Sequence, residues 1–313
     1  MSISKEIERL QQAKKDIGDA IVRKGGSVSG TIDTYAKSVM ALGDVSFRTA
    51  IDIVNKSDAK NVDLTMISPK NETSLDDLFK DNTNLININV SNWDTSKITS
   101  LVFTFASMDN LESVDFADWD VSNVTTFFAM FDASDKIENI DVSKWDTSSA
   151  TNMGWMFNRN NLKHLDVSNF NTSKVTNMFA MFSGSKSLTQ LDISNFDTSN
   201  VLDFGRALSY WSNVCEELNI SGLNLSKCTS INNTFTGTKF NVIRSDGLRL
   251  PNIDMRNIGL NSSTSLTVDS IVGLLNALPQ SDKGYSFQIG SVNIAKLSDE
   301  QKAIATNKGW TLI

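Results

Sequence analysis

The amino-acid sequence predicts an α/β repeat fold, a solenoid of stacked coils, on three observations. One pattern recurs five times between Leu85 and Leu208, in rows that open at Leu85, Leu111, Ile137, Leu162 and Leu188, at steps of 26, 26, 25 and 26 residues. Each row carries apolar residues at its first, fourth and sixth places. Its ninth place always holds an aromatic: Trp93, Trp119, Trp145, Phe170 or Phe196. A fixed period of this length is the signature of a repeat architecture, in which neighbouring units bury what one unit alone cannot.

Each part of a row follows from its residue types. The fourth and sixth places, such as Ile88 and Val90 or Leu191 and Ile193, are two apart, as one side of a short strand requires. The ninth-place aromatics can bury large apolar areas, and a spine of stacked rings is expected there. Polar runs such as Asp94-Thr95-Ser96 and Asp197-Thr198-Ser199 follow, and their side chains bond back to nearby backbone N–H groups at turns. Val175, Met178 and Phe182, like Val124, Phe127 and Phe131, are then spaced by three and four, which predicts a short helix or helical turn on the back of each coil.

The rows Leu188-Thr-Gln-Leu191-Asp-Ile193-Ser-Asn-Phe196-Asp-Thr-Ser and Val175-Thr-Asn-Met178-Phe-Ala-Met181-Phe182 resemble the BspA-type leucine-rich repeats of bacterial surface proteins. The resemblance implies a curved, leucine-rich-repeat-like solenoid with a parallel sheet on its concave face. The sequence departs from the commonest leucine-rich pattern, since Trp or Phe stands where a ladder asparagine is usual. Asparagine precedes it in three rows, at Asn92, Asn169 and Asn195.

Three segments are expected. Residues 1–44 predict a helical hairpin that serves attachment or oligomerisation. Ile3, Ile7, Leu10, Ile17 and Ile21 form a narrow apolar seam, and Gly25-Gly26 breaks the helix before a second one near Tyr35. The stretch Ile3-Ser-Lys-Glu-Ile-Glu-Arg-Leu, with Lys24-Gly25-Gly26 and Tyr35-Ala, is similar to amino-terminal segments of virion structural proteins of tailed bacteriophages; the bland alternative is an amphipathic cap on the solenoid. Residues 45–265 form the solenoid, clear over 85–208 and worn on either side, as ends that meet solvent should be. Residues 266–313 predict a helix-bearing cap: strand 266–268, helix Ser270–Leu278, strand Tyr285–Ile289, helix Ser298–Asn307 and a last strand from Trp310. Ser298 and Gln301 have capping-box spacing, and Gly309 is placed to end the helix. This segment resembles the carboxy-terminal coils of similar repeat proteins of gut bacteria and their phages.

Composition limits the function classes. Across 313 residues, 36 acidic against 29 basic side chains give a net charge of -7, which speaks against a nucleic-acid partner. The opening residues are charged where a secretory signal needs an apolar run, and no stretch approaches the ~20 apolar residues of a membrane span. Cys215 and Cys228 fall at apolar places, so buried free thiols are expected over a disulfide. No metal spacing, phosphate loop or nucleophile with a partner occurs, so no enzyme activity and no cofactor are expected.

One polar column stands out, at the fifth place: Asp63, Asn89, Asp115, Asp141, Asp166, Asp192 and Asn219. Strands about 4.8 Å apart would set Asp115, Asp141, Asp166 and Asp192 as a like-charged ladder with some pKa values raised. The column reads first as a solvated stripe, then as a cation site or a polar ligand groove, and last as a catalytic acid pair. Beside it Glu112, Glu138, Lys163, His164 and Gln190 vary from row to row, as a binding surface on a fixed scaffold would. The expected function is non-catalytic binding or assembly. Its leading setting is a phage virion, as a head or tail fibre or decoration protein, with other virion proteins or a second copy held through residues 1–44 and a host-surface protein or glycan as target. The alternative is a BspA-type bacterial surface adhesin.

Overall fold

The computed structural model describes residues 46–65, 67–211 and 214–313. The expected hairpin of residues 1–44, with its seam of Ile3, Ile7, Leu10, Ile17 and Ile21, lies outside the described residues.

Short strands stack in parallel, one per coil. β1 (Asn61–Asp63), β2 (Asn87–Asn89) and β3 (Ser113–Asp115) pair so that Val62, Ile88 and Val114 share a register. A single bridge, Asn139 to His164, continues the stack. β4 (Gln190–Asp192), β5 (Val214–Asn219) and β6 (Lys239–Arg244) then align Leu191, Leu218 and Ile243. The two longest strands, β5 and β6, fall where the repeat is hardest to see in the sequence. Strand pairing there follows from burial of Cys215, Leu218, Phe240 and Ile243, not from a full row pattern.

The first-place residues Leu85, Leu111, Ile137, Leu162 and Leu188 are buried, as are the sixth-place residues Val90, Phe116, Val142, Val167 and Ile193. The ninth-place aromatics are buried as well, and Trp93 stacks on Trp119 with ring centroids 6.0 Å apart. Phe170 stacks on Phe196 at 6.3 Å. Between them Phe116 wedges against Trp119 at 5.7 Å and Trp145 at 5.1 Å, so the spine changes tilt at this bulkier row. The indole N–H of Trp93 donates to the carbonyl of Leu64 at 2.9 Å and that of Trp119 to Val90 at 3.0 Å, tying each ring to the coil before it.

The back of each coil corrects the expectation of a helix. It is a run of consecutive turns whose N–H groups alternate between two kinds of partner. Phe127, Ala129, Phe131 and Ala133 donate to Asn152, Gly154, Met156 and Asn158 of the next coil, while Met130, Asp132 and Ser134 donate three residues back within their own coil. Phe103, Ala129, Trp155 and Ala180 take positive φ values of 55°, 53°, 62° and 55°, which no α-helix accommodates. Chained four-residue turns and a helix both bring every fourth residue to one side. That is why Phe127 and Phe131 mimic a helical face.

These turns build a second aromatic stack that the row pattern did not single out. Phe79, Phe105, Phe131, Phe157 and Phe182 lie nearly parallel at successive centroid separations of 5.5, 5.5, 6.0 and 6.0 Å. The column recurs with the repeat period, so its signal was in the sequence.

Both described ends are covered. α1 (Phe47–Asn55), capped by Ser46, buries Ile51 and Val54 and sets Phe47 edge-on to Trp93 at 5.1 Å. At the other end no strand forms at 266–268. Thr267 instead caps α2 (Val268–Asn276) through its hydroxyl, and β7 (Ser286–Phe287) pairs in parallel with β8 (Thr311–Leu312). α3 (Ser291–Ala295) is an additional helix there. α4 (Asp299–Thr306) has the capping box of Ser298 and Gln301, and Gly309 follows at φ 83°.

Candidate binding surfaces

The fifth-place column has a structural role that accounts for its composition. Asp141 accepts from the N–H and hydroxyl of Ser143 at 3.1 and 2.6 Å, and Asp192 accepts from Ser194 at 2.9 and 2.6 Å. Asp115 accepts from the N–H of Ala117 at 3.2 Å, Asp166 from Ser168 at 2.9 Å, and Asn89 from Ser91 at 3.2 Å. Each side chain closes the turn that ends its strand. An amide does this as well as a carboxylate, since only an acceptor oxygen is needed. A second column repeats the device five residues on, where Asp120, Asp146, Asn171 and Asp197 accept from Ser122, Ser148, Ser173 and Ser199.

The expectation of raised pKa values is therefore reversed at Asp141, Asp166 and Asp192. Hydrogen bonds from Ser143 hold Asp141 below the usual carboxylate value, and those from Ser168 do the same for Asp166, against a smaller repulsion from Asp141. At Asp192 desolvation pulls upward, but the bonds from Ser194 and the Asn219 amide, with the Arg244 charge, leave the net shift downward. Donors two residues away outweigh like charges one coil away, because a direct hydrogen bond is short-range and the repulsion acts through water. Among the described residues, no group of three or more His, Cys, Asp or Glu side chains converges as a metal site.

The row-variable residues of the strand face do share one surface. Glu112, Lys163, His164 and Gln190 are exposed and Glu138 is half-buried. Lys163 pairs with Glu138 at 2.6 Å, and Glu217 with Arg244 at 2.5 Å. Asn87 donates to Asn61 and Ser113 donates to Asn87, both at 2.6 Å, so the third-place column is itself a polar ladder. Cys215 and Cys228 are free and buried, with burial pushing each thiol up to about 12.

This arrangement of stacked coils has a counterpart among family models. One described as "Mycoplasma protein of unknown function, DUF285" matches residues 48–162 and, in a second overlapping copy, residues 134–245. The chain belongs to the DUF285 family. The matched span covers the stacked rows, and the family and the coil period together fit a BspA-type repeat protein. No curated protein and no solved structure matches the chain. Among the described residues, no helix of this DUF285 solenoid is long and apolar enough to cross a membrane.

The back of the DUF285 coils carries a further surface that the row pattern did not reveal. Phe103, Phe128, Trp155 and Phe179 point outward and are half-buried. Phe103 meets Phe128 edge-on at 5.6 Å, and Trp155 lies 5.8 Å from Phe179. The Lys80 ammonium sits 4.3 Å from the Phe103 ring centre, and the Arg206 guanidinium 5.9 Å from that of Phe179.

Proposed function

We propose that this DUF285 chain is a non-catalytic binding protein that displays its solenoid at a surface, anchored by residues 1–44. The observation that carries this reading is the division of labour within each coil. Inward places are filled by a repeated set of apolar residues, while strand-face residues such as Glu112, Lys163, His164 and Gln190 change from row to row without disturbing the stack. A rigid scaffold with an editable exposed face is the physical basis of recognition by repeat proteins. The partner is a host-surface protein or glycan, and neither nucleic acid nor membrane insertion is involved.

The setting proposed first is a phage virion, with residues 1–44 joining other virion proteins or a second copy through the seam of Ile3, Ile7, Leu10, Ile17 and Ile21. What supports it is the narrowness of that seam, which suits a coiled coil or a groove better than the broad face of a globular helix. A second reading, a bacterial surface adhesin, is favoured by the DUF285 match, whose description names a bacterial genus. Light scattering on the full chain and on residues 46–313 tests the anchor: an oligomer that becomes a folded monomer on truncation is expected. A full chain that is monomeric and is found in no particle would overturn the virion reading.

A further inference from the structure

We propose that the outward aromatics Phe103, Phe128, Trp155 and Phe179 form a binding strip for a linear, uncharged polysaccharide. The strip adds to the proposed display role a ligand class and a surface other than the strand face. The core does not require these rings, because the adjacent inward stack of Phe105, Phe131, Phe157 and Phe182 already fills it.

The sequence nevertheless keeps one outward ring in each of four successive coils while moving it between two neighbouring places. The pairs are Val102 with Phe103, Phe128 with Ala129, Gly154 with Trp155, and Phe179 with Ala180. A large ring at one place always accompanies a small or aliphatic residue at the other. Packing against the next coil alone would be met by a ring at a constant place. The alternation instead keeps a ring on this side of each of the four coils.

The Lys80 ammonium lies over the Phe103 ring and the Arg206 guanidinium over that of Phe179, so cations of this chain cover the two end rings and a sugar would displace them there. Coils rise by about 4.8 Å per step, close to the length of one pyranose unit in an extended chain. Sugar rings offer C–H faces that stack on aromatics and hydroxyls that need hydrogen-bonding neighbours at the edge.

Such neighbours run along one side of the rail. Thr99, Thr125, Thr151 and Thr176 are exposed, and each donates its hydroxyl hydrogen to a carbonyl of the preceding coil at 3.1, 3.0, 3.1 and 3.3 Å, so that its oxygen can accept. Asn152 and Asn177 spend their Oδ1 atoms on the N–H groups of Gly154 and Phe179 and have NH2 groups as donors. Apart from the Lys80 and Arg206 cations at its two ends, the named rail and border residues carry no formal charge, in a chain of net charge -7. A neutral polyol matches that, whereas a polyanion meets overall repulsion. Two facing copies of so narrow a rail would cover well under the roughly 1,000 Å² of a specific protein interface.

Trp155 makes the test selective, because the other tryptophans, Trp93, Trp119, Trp145, Trp211 and Trp310, are all buried. The full chain is titrated with soluble hexasaccharides of the cello, chito, xylo, malto and laminari series while indole emission is followed. At least one should give a saturable change that weakens tenfold or more in Phe128→Ser with Phe179→Ser, at an unchanged melting temperature. If the double variant melts early, the single changes Phe128→Ser and Trp155→Ser, read by retardation in gels containing the parent polysaccharide, make the same comparison. No change with any sugar up to millimolar concentration overturns the proposal. So does a change undiminished in the variants, or an emission shift that follows protein concentration without sugar, which would mark a second copy as the occupant. Variants at Glu112, Lys163 and Gln190 test the strand face separately, so failure of one surface leaves the other standing.

Discussion

The ring of Phe131 lies parallel to that of Phe105, with centroids 5.5 Å apart and planes within 8°. The contact joins two coils through the inner side of their backs, and the ninth-place column joins them again through Trp93 and Trp119 at 6.0 Å. Successive coils in the middle of the array are thus clamped at two places as well as through their backbones.

Removing either clamp should be costly. Phe131→Ala and Trp119→Ala should each lower stability by about 3 to 5 kcal/mol, the range for deleting a fully buried aromatic. Chemical denaturation would measure this, and hydrogen exchange should show the loss concentrated in the coils on either side, since coils touch only their neighbours. A melting temperature that barely moved would contradict the packing described.

The fifth-place column should tolerate loss of charge and resist loss of its acceptor. Asp141→Asn keeps an oxygen for the Ser143 N–H, as Asn89 does for Ser91, and should change stability by less than about 0.5 kcal/mol. Asp141→Ala leaves that N–H unmet by the side chain and should cost about 1 kcal/mol. Millimolar calcium should leave the melting temperature of the parent and of Asp141→Asn with Asp166→Asn unchanged. A calcium-dependent rise lost in that double variant would restore the column as a cation site.

The same hydrogen bonds set the response to acid. Asp141, Asp166 and Asp197 titrate below the ordinary value of 3.8 in the folded chain, chiefly because serine hydroxyls and N–H groups bond to their ionised forms. A depressed folded pKa contributes stability that is full above the unfolded value and is lost as pH falls through the folded one. The melting temperature should therefore hold down to about pH 4 on this account and fall below it. The midpoints of the carboxyl chemical-shift titrations of these residues should lie below pH 3.8.

Positive φ at a coil back and in the cap separates two glycine experiments. Ala133 sits at φ 59°, in the column where Gly184 and Gly237 take 70° and 75°, so Ala133→Gly should be neutral or stabilising by up to about 1 kcal/mol. Gly309→Ala should do the opposite. A Cβ there would lie 2.0 Å from the Ser281 carbonyl oxygen at φ 83°, and the cap should be destabilised by more than about 1 kcal/mol. Thermal melts of both variants check the pair.

Much of the fold was legible in the residues themselves. The period from Leu85 to Leu188 gave stacked coils, the spacing of Ile88 and Val90 gave the strands, the ninth-place aromatics gave buried rings, and Ser298 with Gln301 gave the start of α4. These are local regularities, and period and side-chain type suffice to express them. Three other features were decided only by the tertiary structure. Phe127 and Phe131 have the spacing of a helical face, yet their N–H groups bond to the next coil, and only a neighbour at strand distance makes that partner available. Asp141 looked like one member of a repelling ladder. Once folded, its nearest polar atoms are the Ser143 donors, and they, not the charge one coil away, set its protonation. The outward rail of Phe103, Phe128, Trp155 and Phe179 is irregular along the chain because it alternates between two places. The stacking of coils sets those places side by side, so that Phe103 meets Phe128 and Trp155 meets Phe179.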